Sequence, residues 1–286
     1  MLAQSIIVFR ETLEAVLVLG IIYVYLKKLD KVIYTKYLLL GGVIAVIVSL
    51  MLGIGTYYTK MFVGLEKELM EAIAAFIAVP VLTYVVYWML GRGSRIREEI
   101  RQKVIEVSDR VKYSSRTYAP VIAFAGLGFL VVFREGLETV LFMLPFIIGS
   151  PLDTILGIFV GLTLASAIGY GVARGAVRLN LRRFFLVTSI LLVLIAGGLL
   201  GYGVHELMEY YEDQGIDFGL LGEPLYDLGI ASTNPLSHKG VIGSIFAVLF
   251  GYTTKMEILR ALIQIPYSVI GVLTIYVVHK KRLGST

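Results

Sequence analysis

Residues 131–142 read VVFREGLETVLF, an arginine and two glutamates set in an otherwise apolar run. Residues 6–17, IIVFRETLEAVL, repeat the pattern near the start of the chain. Aligned, the copies share F-R-E-x-L-E-x-V-L, from Phe9 to Leu17 and from Phe133 to Leu141. On a helix the two glutamates of each copy share a face, and the arginine, four residues before the second, is within ion-pairing reach. A charged side chain at the centre of a membrane helix costs about 2.5–3.5 kcal/mol, whereas each Leu or Ile returns about 0.3–0.6. Three charges therefore cost about 8–10 kcal/mol and nearly cancel a twenty-residue apolar helix. Structural ion pairs can be replaced by apolar packing without loss of stability. Two glutamates against one arginine, buried twice, leave surplus carboxylates that require a cation or protons. The competing structural reading, Arg–Glu pairs that fix the fold beside a protonated glutamate, does not explain the duplication.

The rest of the chain supports a membrane setting. It has 286 residues, 57% hydrophobic and only 16% charged, where soluble domains are about a quarter charged. Apolar runs of membrane-spanning length fall at 2–26, 37–58, 69–91, 118–149, 152–173, 184–204 and 257–279. The run 240–252, GVIGSIFAVLFGY, is too short to cross and is expected to lie at the interface or re-enter. No basic region precedes the first apolar run, so it reads as a retained helix rather than a signal peptide. The chain has no cysteine, which excludes disulfides, thiolate metal sites, iron–sulfur clusters and thiol catalysis. Three histidines, His205, His238 and His279, are too few for an imidazole-rich site.

Charge sets the orientation. Loops 27–36, 92–117 and 174–183 and the C-terminal tail hold nineteen Lys and Arg, and the alternating loops 59–68, 150–151 and 205–256 hold four. The positive-inside rule places the N-terminus outside and the C-terminus in the cytoplasm. That distribution also accounts for the net charge of +5 without a nucleic-acid partner. In loop 92–117, Ile96, Ile100, Val104, Val107 and Val111 recur at helical spacing, predicting an amphipathic helix on anionic headgroups, or a docking surface for a cytosolic regulator.

Spans one and four start on opposite sides, so the two motif copies run in opposite directions. The expected fold is an all-α polytopic membrane protein with seven transmembrane helices, two inverted three-helix repeats plus a seventh helix. A single transporter domain then covers 1–286. It divides into a first repeat at 1–91, the second at 118–204, an external loop at 205–256 and the seventh span at 257–279.

Crossing of the motif helices would gather Glu11, Glu14, Glu135 and Glu138, with Arg10 and Arg134 as ion-pair partners. Such an all-oxygen donor set suits a hard, multiply charged cation. A second pattern, ELME, occurs at Glu68–Glu71 and Glu206–Glu209, at the external ends of spans three and six. It reads either as an outer funnel that concentrates cations or as ordinary charged helix ends. His205 stands four residues before Glu209 and could add an imidazole. Glu257 and Arg260 read as a simple i,i+3 ion pair. Pro80, Pro145 and Pro266 are expected to kink their spans.

Rival readings are weaker. A divalent cargo such as Mn(II), Fe(II) or Pb(II) is the first alternative. A membrane-embedded enzyme with catalytic carboxylates is another, but a di-iron bundle would carry Glu-x-x-His pairs, and this sequence has none. A metal sensor would need a cytoplasmic output domain larger than loop 92–117.

Two R-E-x-x-E motifs in the first and fourth of seven spans resemble the high-affinity ferric iron permease family, the oxidase-dependent iron transporters of fungi and prokaryotes. The resemblance implies uptake of Fe(III) into the cytoplasm through the motif carboxylates, across the plasma membrane. It implies iron as transported ion with no permanently bound cofactor, and an external ferroxidase or iron-delivering protein as partner. By position it assigns function to Arg10, Glu11, Glu14, Arg134, Glu135 and Glu138. The family form is R-E-G-L-E, so Thr12 departs from it where Gly136 does not.

Overall fold

The computed structural model describes residues 1–63, 65–92, 96–112, 118–173, 180–230, 234–237, 243, 246, 247 and 250–283. Among these residues the chain forms eight helices: α1 Leu2–Lys28, α2 Thr35–Val63, α3 Lys67–Arg92, α4 Ile96–Lys112, α5 Ala119–Gly149, α6 Pro151–Ala173, α7 Leu181–Asp213 and α8 Ile258–Leu283. Strands β1 Pro224–Asp227 and β2 Lys255–Glu257 form a short antiparallel ladder with a register irregularity between Pro224 and Tyr226. Most of the run 240–252 lies outside the described residues.

Helices α2, α3, α5, α6, α7 and α8 are long and apolar enough to cross a membrane. Helix α1 is not among those six. Its 27 residues give about 40 Å of helix, enough to cross a hydrocarbon core of about 30 Å. It differs by carrying Arg10, Glu11, Glu14, Lys27 and Lys28. The molecule is a multi-pass membrane protein, with large apolar side chains such as Leu40, Ile47, Met51, Leu152 and Phe159 exposed on α2 and α6 where lipid would cover them.

Local chemistry marks the helix boundaries. Asp30, beyond the end of α1, has φ +58°, a left-handed turn that Asp tolerates through its short polar side chain. Pro151 opens α6, where a missing N–H costs nothing. The Asn180 side chain accepts a hydrogen bond from Arg183 N at 3.3 Å and caps α7.

Packing follows three long pairings: α2 lies along α5, α6 along α1, and α3 along α7, with α8 against α7. Helix α5 also touches α1 and α3. At Gly161 a side chain would stand 2.7 Å from Ser5 O and 2.9 Å from Phe9 N, so only glycine lets α6 reach the α1 backbone.

Helix α4 departs from expectation. Its apolar face packs on protein: Ile100 and Val104 are buried in one cluster with Ile22, Leu26, Leu38 and Phe124. The Lys31 ammonium donates to the Ser108 hydroxyl. The stripe read as a headgroup-facing surface instead closes the basic-loop end of α1, α2 and α5.

Candidate functional site

The F-R-E-x-L-E-x-V-L copies sit mid-helix on α1 and α5. Arg10 and Glu11 are each 1% exposed, and Glu14, Glu135 and Glu138 are also buried. One carboxylate oxygen from each of Glu11, Glu14 and Glu135 lies within 4.8 Å of the others. Glu138 completes the layer through Arg134, whose Nε donates to Glu138 Oε1 at 3.0 Å. The four glutamates singled out in the sequence are thus brought to one depth of the bundle, and both arginines stay with them.

Helix α3 holds the two guanidiniums, a role that sequence reading missed. Arg10 pairs with Glu11 and with Glu14 Oε1 at 2.9 Å, and its Nη2 donates to the Met89 sulfur. Arg134 stacks on Trp88, its Cζ 3.9 Å from the ring centroid, a cation–π contact. Adjacent positions on α3 therefore serve opposite arginines. No motif marks them, because the contacts come from long-range helix packing.

The site is left short of partners. Glu11 Oε2, Glu135 Oε2 and Glu138 Oε2 are buried without a hydrogen bond, and Glu14 Oε1 meets Arg10 outside hydrogen-bond geometry. Two ionised carboxylates at about 5 Å repel by about 3.5 kcal/mol at an effective dielectric of about 20. Four carboxylates against two guanidiniums need two further positive charges to balance. Hard cations bound by oxygen supply that balance, and such an ion would use the bare oxygens as ligands.

The second motif copy has glycine because α2 passes there. A side chain at Gly136 would stand 2.8 Å from Ser49 Cβ and closer still to its hydroxyl. Thr12, the matching residue of the first copy, is half-buried on α1.

A second polar group lies at the opposite end of the bundle from α4, where α7 ends and α3 and α8 begin. Here His205, Glu206 and Glu209 offer ligand atoms within 4.8 Å of one another. Glu71 is 1% exposed, paired with Lys67 at 3.3 Å and set against Gly149. Both Lys67 and Glu71 are near enough to Glu206 to act on it electrostatically. Glu68 is half-buried and is not one of the grouped ligands. The expected Glu257–Arg260 pair is replaced: Glu257 Oε1 meets His205 Nδ1 at 3.2 Å, whereas Arg260 turns to Gln264 and Gly251. Burial pushes the Glu257 carboxyl up, but His205, a backbone N–H and the nearby Arg260 together more than offset it and hold it below the usual carboxylate range.

Along α5, Glu135, Glu138, Phe142, Pro145 and Gly149 share one face. Eleven residues, about 16 Å of helix, separate Glu138 from Gly149 beside Glu71. Fully buried Phe142 lies between these two levels.

A family model described as Iron permease FTR1 family matches residues 1–277. A protein of Archaeoglobus fulgidus described as an uncharacterized protein is 37% identical over 270 residues, covering 93% of this chain and 91% of its own. The ferrous iron permease EfeU of Yersinia pestis is 29% identical over 291 residues, covering 100% of this chain and 96% of its own. The ferrous iron permease EfeU of Escherichia coli O6:K15:H31 is 30% identical over 256 residues, with coverages of 88% and 87%. No solved structure matches the chain.

Proposed function

The chain belongs to the Iron permease FTR1 family, and from that premise we propose that it carries iron into the cytoplasm through the four glutamates of α1 and α5. One observation carries this reading: Glu11, Glu14 and Glu135 converge within 4.8 Å while buried oxygens of the motif glutamates lack hydrogen bonds. The ion entering this layer is Fe(III), whose charge and hardness fit a donor set of carboxylates alone. Arg10 and Arg134 hold the glutamates apart between ions and keep the empty layer from full repulsion.

The seven-span plan belongs to the same proposal, with α1 as the span that carries the charges. Exchanging α1 with α5, α2 with α6 and α3 with α7 turns the α2–α5 pairing into α6–α1 and leaves α3–α7 in place. This pattern supports two inverted repeats meeting at the motif layer. We place the N-terminus outside and the C-terminus in the cytoplasm of a plasma-membrane protein, by the basic loops. An inside-negative potential then assists inward movement by about 2.3 kcal/mol per charge per 100 mV. Residues 1–286 act as one transporter domain with no catalytic centre, and iron reaches it from an external ferroxidase or iron-delivering protein.

Fe(II) is the second reading, favoured by the relatives named ferrous iron permease. Uptake into proteoliposomes, offered Fe(III) citrate or ascorbate-reduced Fe(II) at equal concentration, separates the two. Faster Fe(III) uptake supports the first reading, and uptake of Fe(II) alone replaces it with the second.

A further inference from the structure

At the end of α7, His205, Glu206 and Glu209 offer ligand atoms within 4.8 Å of one another. His205 Nδ1 lies 3.2 Å from Glu257 Oε1, so that carboxylate fixes the ring and turns Nε2 to the side of Glu209. Nε2 stands 4.0 Å from Glu209 Oε2, beyond direct hydrogen bonding. Two donors about 2.1 Å from one ion stand at most about 4.2 Å apart, so this pair is already within reach of a shared ion.

Glu206 is the independent observation. It is only 9% exposed, its oxygen lies within 4.8 Å of the His205 and Glu209 ligand atoms, and no hydrogen bond reaches it among the described residues. Its carboxylate can therefore close on an ion together with His205 and Glu209 without breaking a hydrogen bond.

We propose that His205, Glu206 and Glu209 form a second metal site, for a divalent first-row transition cation, with Glu257 as the positioning residue that holds the imidazole. An imidazole beside carboxylates favours such an ion over Mg or Ca, which prefer oxygen alone. A carboxylate on the far ring nitrogen is the usual device for orienting a ligating histidine. The site differs in donor chemistry from the all-carboxylate motif layer. As a metal site it stands on its own ligands; as a station where the ion pauses before that layer, it rests on the permease reading.

Mn(II) is the probe. Full-length protein carrying Glu14→Gln and Glu138→Gln is titrated with Mn(II), and pulsed electron paramagnetic resonance reads nitrogen coupling to the bound ion. The expected result is one nitrogen-coupled Mn(II), with a single imidazole nitrogen, in this variant as in the unaltered chain. His205→Gln abolishes the nitrogen coupling, and Glu206→Gln weakens binding at least tenfold. Glu257→Gln keeps the coupling but weakens binding about tenfold, the effect typical of losing the carboxylate that orients a ligating histidine. Absence of nitrogen-coupled Mn(II), or coupling that persists in His205→Gln, overturns the proposal. Either result leaves the motif glutamates untouched, since their role is read by uptake and not by this signal.

Discussion

Arg10 is 1% exposed and faces two glutamates, so its removal strands buried charge. Breaking a buried pair by deleting one partner costs about 3–5 kcal/mol; Arg10→Met should lower the thermal midpoint of purified protein accordingly. The side chain of Arg134 is 42% exposed and reaches Glu138 at 3.0 Å but Glu135 only at 4.0 Å, so its removal strands less buried charge, and its Trp88 contact adds about 0.5–1 kcal/mol. Arg134→Met should therefore be clearly the milder variant. Equal losses in thermal unfolding would show that the two motif copies share one environment after all. At this scale the charged motif was fully legible, because i,i+3 and i,i+4 spacing fixes which side chains share a helix face. Trp88 and Met89 were not, since nothing local distinguishes them from lipid-facing residues of α3. His205 was legible beside Glu209, one turn away, but its contact with Glu257 spans fifty-two positions and depends on where α8 begins.

Helices were read to within a few residues wherever charge or glycine bounds an apolar run. Span 118–149 became α5 Ala119–Gly149, and 152–173 became α6 Pro151–Ala173. The longest miss is α7, which continues to Asp213 through the charged stretch HELMEYYED: polarity ends a membrane span but does not end a helix. Helix α4 was placed correctly and packed wrongly. Its amphipathic stripe fits a lipid surface or a protein groove equally well, and only the apolar ends of α1, α2 and α5 decide between them. The Lys31–Ser108 contact makes this testable in a chain without cysteine. Lys31→Cys with Ser108→Cys should be joined by a short bis-maleimide in native membranes, shifting the mobility of a chain cut within loop 92–117. No crosslink would return α4 to the headgroups.

Across the whole molecule, the repeated motif led to the expectation of a symmetric pair, while the pairings α2–α5, α1–α6 and α3–α7 could not be read from hydropathy, which reports burial in lipid and not neighbours. The proposed orientation has a direct check. Cysteine at Tyr211, on the exposed end of α7, should react with an impermeant maleimide on intact cells. Cysteine at Arg110, exposed on α4, should react only after permeabilisation; the reverse pattern would invert the topology and the direction of transport. The two levels of acids, about 16 Å apart along α5, give the bundle an axis, and the central claim is that iron must pass the deeper one. Radioactive iron uptake into proteoliposomes tests it, comparing the unaltered protein with Glu14→Gln and Glu138→Gln at matched insertion and folding. The account predicts that each substitution reduces uptake to the level of empty vesicles. Uptake persisting at the unaltered rate in both would contradict it and reduce the motif to structural ion pairs.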